Sequence, residues 1–314
     1  MNNTPLPVTS RRPFASFCEE WLCVKRNRVK ESTYVKYDSM LSKHVLPKLG
    51  GCAPSALSTQ LIEQFKQELL SESLAPKTVK DILIMLSSIL KYNAKQYPDA
   101  YQAVEISYPK EQKKEARVLS TEEQQRFVAY LQTDMDTCKF GVILALLTGL
   151  RIGELCALQW KNISLQNKTV HVDATMQRLR DLEHIKKTKI VIGSPKSDAS
   201  IRTIPLTERA ARLCEQNDPH CPAAFLLTGT EKFMEPRQMQ KKLARYTADC
   251  ELKGVHFHTI RHTFATRCVE AGFEIKSLSE ILGHASTSIT LERYVHSSME
   301  LKRVNMDKLA SVGL

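Results

Sequence analysis

The first third of the chain has a helical pattern of apolar positions. Apolar residues recur at spacings of three and four from Phe14 to Trp21, again within 62–70, and a third time within 78–92. Residues at these spacings lie on one face of a helix, so each stretch predicts a helix with one apolar side. Three such helices are enough to enclose a common core. The pattern therefore predicts a compact helical domain over residues 13–97.

A second domain is predicted to begin near residue 118. The stretch 98–117 contains two prolines and mixed charge without a clear period, which is typical of an extended linker between domains. Ser120 is followed three residues later by Glu123, the spacing of a helix-starting capping box. We therefore expect a linker at 98–117 and a second domain over 118–314.

The second domain changes period after its first helices. Three short stretches are rich in Val, Ile and Thr and predict β-strands at 169–177, 188–193 and 201–206. The sequence SPKSDAS between the last two consists of turn formers and predicts a hairpin loop. A helical pattern resumes at Thr207. The predicted fold class is mainly α with a small antiparallel β-sheet.

Composition is that of an ordinary globular protein, but the charge is strongly positive. Apolar residues make up 42% and charged residues 25%, whereas 45 Lys+Arg against 34 Asp+Glu give a net charge of +11. The excess is spread over both halves of the chain, which favours a polyanionic partner, nucleic acid first. The basic run near the end of the first helix supplies candidate DNA-binding residues, with a solvated helix face as the alternative. They are Lys25, Arg26, Arg28 and Lys30.

Membrane and secretory classes are excluded by the same sequence. The longest apolar stretch, 140–150, is interrupted by Thr148 and Gly149, whereas a membrane span needs about 20 apolar residues. The N-terminus has no apolar segment of a signal peptide. The nine cysteines are scattered and contain no C-x-x-C pair, which indicates reduced thiols. We expect a cytoplasmic protein with no membrane partner.

Two segments carry candidate chemistry on helices. In TGLRIGEL, Arg151 follows a glycine turn, and Glu154 lies three residues on, close enough to orient the guanidinium. A fixed guanidinium can donate two hydrogen bonds to an oxyanion, although a structural ion pair is the alternative. In HTIRHTF, His258 and Arg261 present two donors on one helical face. His258 and His262, four residues apart, could instead form a metal pair. Because Thr259 stands where a zinc-binding helix has glutamate, and no third ligand is nearby, we predict no metal site.

The third segment is LGHASTSITLERYVH. Gly283 has the position of a helix stop, His284 follows it directly, and a new helix then carries Tyr294. By composition alone, packing would be the ordinary role of such a tyrosine. Its neighbours in the sequence change that expectation.

Together these segments resemble the tyrosine recombinase (phage integrase) family. That family has an Arg in a T-G-[LM]-R-x-x-E-L segment, a Lys at the tip of a β-hairpin and an H-x-x-R helix. An L-G-H segment and a Tyr nucleophile about ten residues further on complete its pattern. This chain has the expected residue types in the expected order over 151–294. The resemblance implies six catalytic residues and one supporting residue: Arg151, Lys196, His258, Arg261, His284 and Tyr294, with Glu154 in support.

The resemblance also implies a fold, an activity and partners. It implies a helical core-binding (SAM-like) domain and an α+β catalytic domain that form a clamp around DNA. The enzyme would cut and rejoin strands of double-stranded DNA through a 3′-phosphotyrosine, as a homotetramer on two DNA sites. The C-terminal tail 297–314 would dock on a neighbouring protomer, with packing on its own domain as the alternative. Because the phosphotyrosine retains the energy of the broken bond, we expect neither cofactor nor metal, and no P-loop motif occurs in the chain.

The residue chemistry supports these roles. Attack on a phosphodiester builds negative charge on non-bridging oxygens, which Arg151 and Arg261 would stabilise, with His258 and His284 as further hydrogen-bonding groups. A free tyrosine titrates near 10, so Tyr294 needs a base or a cationic site, and His258 is the candidate base. Lys196 is the candidate general acid for the departing 5′ oxygen.

Subfamily features point to integration or excision of a mobile element. The segments PKSDASIRTIPL and TLERYVH look more like integrases of phages and conjugative transposons than chromosome-dimer-resolving recombinases. Many mobile-element integrases carry an N-terminal arm-binding domain, whereas about a dozen residues precede the first helix here, so the resemblance does not extend to arm-site binding. A type IB topoisomerase shares the catalytic set, whereas a non-catalytic regulator would have lost part of it. The sequence leaves open the target sequence and any need for accessory DNA-bending or excision factors.

We predict that Lys196→Ala slows DNA cleavage by about 10²- to 10⁴-fold, the usual contribution of a general acid. A substrate with a 5′-phosphorothiolate leaving group should recover much of the loss, because sulfur departs without a proton. Single-turnover cleavage of the two substrates measures this. Equal defects on both substrates would make Lys196 a phosphate-binding residue instead.

Overall fold

The protein is described by a computed structural model that covers residues 12–98, 103–111, 116–182, 184, 187–195, 197–294, 303, 306 and 307. The chain forms two compact units, one of residues Met1–Lys114 with Arg180–Lys187 and one of Glu115–Leu179 with Thr188–Leu314. Lys196 and nearly all of the predicted tail 297–314 lie outside the described residues. No helix among the described residues is both long enough and apolar enough to cross a bilayer.

The first unit is helical, as its apolar pattern predicted. Its described helices are α1 (Phe14–Arg26), α2 (Glu31–Met40), α3 (Leu46–Leu49), α4 (Thr59–Ser71) and α5 (Pro76–Gln96), with a π-helical stretch at Leu41–Val45. The apolar faces of α1, α4 and α5 meet in one core that contains Phe14, Trp21 and Phe65. Burial of these large side chains supplies the main stabilisation of the unit.

Part of the predicted linker packs on this first unit. Residues 103–111 contain neither helix nor strand, yet Val104 and Ile106 pack against the helical core. The Ser107 hydroxyl accepts a hydrogen bond from Lys66 at 2.7 Å and donates one to Glu63 at 2.8 Å. This half of the segment is therefore extended, as predicted, but attached to the first unit.

The second unit combines helices with two small sheets, which confirms the predicted fold class. Its described helices are α6 (Thr121–Gln132), α7 (Thr137–Thr148), α8 (Ile152–Ala157), α9 (Glu208–Gln216), α10 (Pro236–Asp249), α11 (Phe257–Glu270), α12 (Ile275–Leu282) and α13 (Thr287–Tyr294). Its strands are β1 (Ile163–Ser164), β2 (Thr169–Val172), β3 (Thr175–Arg180), β4 (Thr188–Gly193) and β5 (Arg202–Pro205). The predicted capping box of Ser120 and Glu123 is confirmed at the start of α6.

The predicted hairpin around SPKSDAS is wrong. The strand predicted at 169–177 is two strands, β2 and β3, and the three-stranded sheet has the order β1-β2-β5 while β3 pairs with β4. Val170 lies opposite Ile204 in the antiparallel pair of β2 and β5, and both are buried. β5 alternates buried and exposed residues, so one of its faces packs on the core together with β2. β4 is mostly exposed and lies outside that sheet. The segment 194–201 therefore connects two sheets.

Candidate active site

A tight turn between α7 and α8 positions Arg151. The apolar helix α7 is buried along most of its length and ends at Gly149, whose φ of +68° is the left-handed conformation that favours glycine. A β-carbon on Gly149 would lie 2.5 Å from the ring of Phe264, so the turn has no room for a side chain. Arg151 follows as the residue that precedes α8.

The buried carboxylate of Glu154 holds two arginines. Its Oε1 accepts a hydrogen bond of 2.6 Å from Nη1 of Arg151, which confirms the contact predicted from their spacing. Arg202, at the start of β5, donates from Nη2 to Oε2 at 2.9 Å and from Nη1 to Oε1 at 3.1 Å. Burial alone would raise the pKa of Glu154, but the hydrogen bonds and charge of Arg202, followed by the charge of Arg151, outweigh it. The net effect lowers that pKa.

Arg261 is buried on α11 and binds main-chain oxygens. Its Nη1 donates to the carbonyl of Gly149 at 2.7 Å, and its Nη2 donates to the carbonyl of Leu282 at 2.6 Å. Burial, and next the charge of Arg151, lower the pKa of Arg261 to about 9, so the group remains a cation at neutral pH. The guanidinium thus joins the end of α7 to the end of α12.

Three arginines bind three consecutive carbonyls at the end of α12. Ile281 accepts from Nε of Arg202 at 2.5 Å, Leu282 from Arg261, and Gly283 from Nη2 of Arg151 at 3.1 Å. Carbonyls in the last turn of a helix have no partner within the helix and carry partial negative charge, so guanidinium groups satisfy and neutralise them.

Gly283 ends α12 with a φ of +64°, which confirms the predicted helix stop. A β-carbon there would lie 3.0 Å from Nη1 of Arg202.

Two predicted histidines face the same region in neutral form. Nε2 of His284 lies 3.1 Å from Nη2 of Arg261, and its Nδ1 lies 2.8 Å from the hydroxyl of Thr290. Burial, and next the Arg261 charge, lower the pKa of His284 to about 3. His258 of α11 is exposed as a whole residue, but its ring is partly shielded from water. This shielding, and next the charge of Arg261, lower its pKa as well. Both rings are therefore uncharged at neutral pH.

Tyr294 lies at the C-terminal end of α13 and is 6% exposed. Its ring is parallel to that of His284, with an interplanar angle of 2° and a centroid distance of 6.3 Å. The ring of His262 lies 5.4 Å away on another side. Tyr294 also packs in a small apolar cluster with Leu278 and Leu282 of α12. Its ring is therefore fixed by neighbours from two helices.

These residues line one cavity of about 240 Å³. Five of the six predicted catalytic residues border it: Arg151, His258, Arg261, His284 and Tyr294. Lys196, the sixth, lies outside the described residues, but Ser197 and Ser200 border the cavity. The structure therefore brings together side chains that lie up to 143 positions apart in the sequence.

Some residues of this site were not predicted from the sequence. Arg202 is 8% exposed and binds Glu154. The alternating pattern of β5 assigns Arg202 to the buried face, and a charged residue on that face is the signal that could have identified it. His262 and Arg293 also border the cavity. Nδ1 of His262 is buried and has no hydrogen-bond partner among the described residues. The sequence drew attention to His262 only as a possible metal ligand with His258, and Arg293 gave no signal of its own.

The basic run belongs to the first unit. Lys25 and Arg26 lie in the last turn of α1, Arg28 lies in the following turn, and Lys30 precedes α2. The Lys25 ammonium lies 5.3 Å from the centre of the Trp21 ring. These four residues cluster around one turn, as the sequence predicted, and their partner remains a proposal.

The donor set of the cavity suits an anion. Arg151, Arg261 and Arg293 border it directly, and Arg202 binds Glu154, the carboxylate partner of Arg151. Among the described residues, no group of three or more His, Cys, Asp or Glu side chains is arranged to hold a metal ion. Guanidinium groups bind phosphate oxygens through paired hydrogen bonds. The cavity can therefore bind a phosphate beside a tyrosine hydroxyl.

Comparison with known families gives two matches that together span most of the chain. Residues 117–300 match the Phage integrase family, and residues 13–70 match the N-terminal SAM-like domain of phage integrases. The first match alone covers more than half of the 314 residues. These matches confirm the family predicted from the motifs.

Relatives include recombinases and transposases. A tyrosine recombinase XerC-like protein of Caldanaerobacter subterraneus is 27% identical over 303 residues, covering 88% of this chain and 77% of the relative. The transposase from transposon Tn916 of Enterococcus faecalis is 30% identical over 216 residues, covering 61% of this chain. The chain spans 52% of the length of that transposase.

Solved structures share the fold. The Tn1549 transposon integrase in complex with transposon right end DNA has a TM-score of 0.81 at 21% identity, covering 95% of this chain and 99% of that one. A lambda integrase tetramer bound to a Holliday junction has a TM-score of 0.68 at 16% identity, covering 94% and 82%. These similarities confirm the predicted two-domain recombinase fold.

We predict that Glu154→Gln lowers the free energy of unfolding at pH 7 by about 3 to 5 kcal/mol, because it leaves the buried Arg202 and the partly exposed Arg151 without their counter-charge. The folded-state pKa of Glu154 is lowered, so its stabilisation is complete above the ordinary pKa of 4.5 and is lost as the pH falls through the folded-state value. The difference between variant and wild type should therefore narrow below about pH 4.5. Urea unfolding across pH measures it.

Glu208→Gln is the matched control, because Glu208 is an exposed glutamate of the same unit. It should remain close to wild type at pH 7. A Glu154→Gln protein as stable as this control would contradict the role of the buried carboxylate.

Proposed function

The chain belongs to the phage integrase family, and from that premise we propose that it is a tyrosine site-specific recombinase that integrates and excises a mobile element. It cleaves and rejoins double-stranded DNA through a 3′-phosphotyrosine intermediate. The observation that carries this proposal is the cavity in which Tyr294 lies beside three arginines and three histidines, whose pKa values are all lowered. A phosphate held there would be next to a nucleophile and surrounded by donors.

The proposed reaction uses each side chain for one task. Arg151 and Arg261 bind the non-bridging oxygens of the scissile phosphate and stabilise the negative charge that builds on them. The hydroxyl of Tyr294 attacks phosphorus, and the bond to the 5′ oxygen breaks. The 5′ hydroxyl of the partner strand later attacks the phosphotyrosine and releases Tyr294. Because bonds are exchanged one for one, the cycle needs no external energy source.

Proton transfer is assigned to His258 and Lys196. His258 borders the cavity, and its lowered pKa keeps it unprotonated at neutral pH, so it can accept the proton of Tyr294. Lys196 would protonate the departing 5′ oxygen, and Ser197, the next residue, borders the same cavity. His284 would donate a hydrogen bond to the phosphate. Glu154 and Arg202 would support the reaction by positioning Arg151.

The mobile-element assignment rests on the transposase and integrase relatives together with the segments SPKSDASIRTIPL and TLERYVH. The XerC-like relative supports the alternative, a chromosome-dimer-resolving recombinase. We propose a homotetramer on two DNA sites, in line with the tetramer formed by the lambda integrase, and action in the cytoplasm. The proposed domains are 13–97 and 118–314, joined by 98–117.

We predict that Tyr294→Phe binds site DNA with wild-type affinity but forms no covalent adduct, because only the attacking hydroxyl is removed. The DNA that flanks the gene is first sequenced to find repeats, and the substrate is a nicked duplex built from them. Adducts are separated on a denaturing gel. Tyr130→Phe removes a hydroxyl elsewhere in the same unit, where it binds Asp249, and should form adducts normally. Adduct formation by Tyr294→Phe would refute the proposed nucleophile.

We predict that DNA affinity falls steeply with salt and that the basic run contributes to this slope. Replacing Lys25, Arg26, Arg28 and Lys30 by Ala should flatten the slope of log K against log salt by about 0.9 for each DNA phosphate that the variant no longer neutralises. Fluorescence anisotropy at several salt concentrations measures it.

A control of equal charge replaces exposed lysines of the same unit: Lys43, Lys77, Lys91 and Lys95. If both variants change the slope equally, net charge rather than the basic run determines DNA binding.

A further inference from the structure

Thr290 joins the helix of the tyrosine to an active-site histidine. It is completely buried on α13, and its hydroxyl lies 2.8 Å from Nδ1 of His284. Thr290 and Tyr294 are the two buried residues of α13, and they are one helical turn apart on the same face. A fully buried position whose side chain makes no hydrogen bond favours an apolar residue over threonine. The hydroxyl therefore points to a role toward His284.

Arg261 determines which ring nitrogen of His284 carries the proton. Its Nη2 lies 3.1 Å from Nε2, and a guanidinium group can only donate hydrogen bonds. Nε2 must therefore accept, so the neutral ring carries its proton on Nδ1. That proton is donated to the hydroxyl of Thr290. The lowered pKa of His284 agrees with a neutral ring.

A bound phosphate requires the opposite arrangement. Its non-bridging oxygens can only accept hydrogen bonds, so His284 can bind them only through a proton on Nε2. A neutral ring protonated on Nε2 has an unprotonated Nδ1, which then needs a donor. A hydroxyl rotates and can serve as acceptor or donor, whereas a buried methyl group can do neither. Thr290 is thus suited to both states of the ring.

We propose that Thr290 is a positioning residue that supports a tautomer change of His284 when DNA binds. Without DNA its hydroxyl accepts from Nδ1, and with a phosphate in the cavity it donates to Nδ1 while Nε2 donates to the phosphate. In this change Nδ1 releases one proton to water and Nε2 takes one from water, so the ring stays neutral. The proton of Arg261 Nη2 that had bound Nε2 becomes available to the same phosphate. The proposal rests on the proposed function.

The same hydrogen bond fixes the helix of the nucleophile. Since Thr290 precedes Tyr294 by one turn, its bond to His284 sets the depth at which α13 packs, and the ring of His284 lies parallel to that of Tyr294. Loss of the hydroxyl would therefore affect the histidine and the tyrosine together. Replacement by Ser keeps the hydroxyl, whereas replacement by Val keeps the shape without it.

The first experiment measures the tautomer directly. Two-bond ¹H–¹⁵N spectra of protein with labelled histidines distinguish a protonated from an unprotonated ring nitrogen. Wild-type protein without DNA should show a protonated Nδ1 on His284, with slow exchange of that proton in wild type and Thr290→Ser and rapid exchange in Thr290→Val. With the duplex built from the flanking repeats, Tyr294→Phe protein should show protonation on Nε2. A proton on Nε2 without DNA, or no change with DNA, overturns the proposal.

The second experiment measures cleavage of the nicked duplex under single-turnover conditions. Thr290→Val should slow cleavage by about 10- to 100-fold, the rate equivalent of one buried hydrogen bond left unmade, with an unchanged Kd for DNA. Thr290→Ser should stay close to wild type. In a His284→Ala background, Thr290→Val should cause no further loss, because its effect passes through the ring.

A matched control separates this role from packing. Thr263 is another fully buried threonine of the same unit, and its hydroxyl donates to the Thr259 carbonyl at 2.8 Å. Thr263→Val should have the same effect with and without His284. If Thr290→Val behaves in the same way, Thr290 is merely structural and the proposal is wrong. Failure of the proposed function would be seen as covalent adducts formed by Tyr294→Phe. Failure of the proposal for Thr290 would be seen in the spectrum without DNA, which does not depend on catalysis, so the two failures are distinguishable.

Discussion

The active site depends on the binding of two arginines to the buried carboxylate of Glu154. Arg151 and Arg202 both bind this carboxylate. Arg261 lies close to both arginines, and burial together with their charges lowers the pKa of Arg261. Cations gathered away from water repel one another strongly and need compensation. One carboxylate and the electronegative end of α12 supply part of it. The remaining positive charge faces the cavity, where an incoming phosphate would complete the neutralisation.

This constraint explains why distant segments must meet at one helix end. Arg202 comes from β5, Arg151 from the turn after α7, and Arg261 from α11, and each binds a different carbonyl at the end of α12. The position of β5 in its sheet therefore affects the position of Arg151 through Glu154. Ser197 and Ser200 border the cavity just before β5, and the Ser200 carbonyl accepts a hydrogen bond from Nη1 of Arg202.

Spacing within short segments predicted much of this site, but contacts between distant segments could not be predicted from the sequence. The contact of Arg151 with Glu154 and the helix stop at Gly283 follow from geometry within a few residues. The partners of β4 and β5 could not be predicted, because alternation along a strand shows which side is buried but not which strand lies beside it. Arg202 reaches Glu154 across 48 positions, a contact that no local pattern reveals. The role of Thr290 depends on where α13 packs.

The acceptors that hold the arginines are mostly main-chain oxygens, namely those of Gly149, Ser200, Ile281, Leu282 and Gly283. A peptide carbonyl is present whatever side chain its residue carries. Conservative replacement of Ile281, for example, would preserve the ligand of Arg202 as long as α12 keeps its course. We therefore expect the site to tolerate substitution of the residues that supply these carbonyls. Only the arginines and Glu154 need to keep their side chains for the network to form.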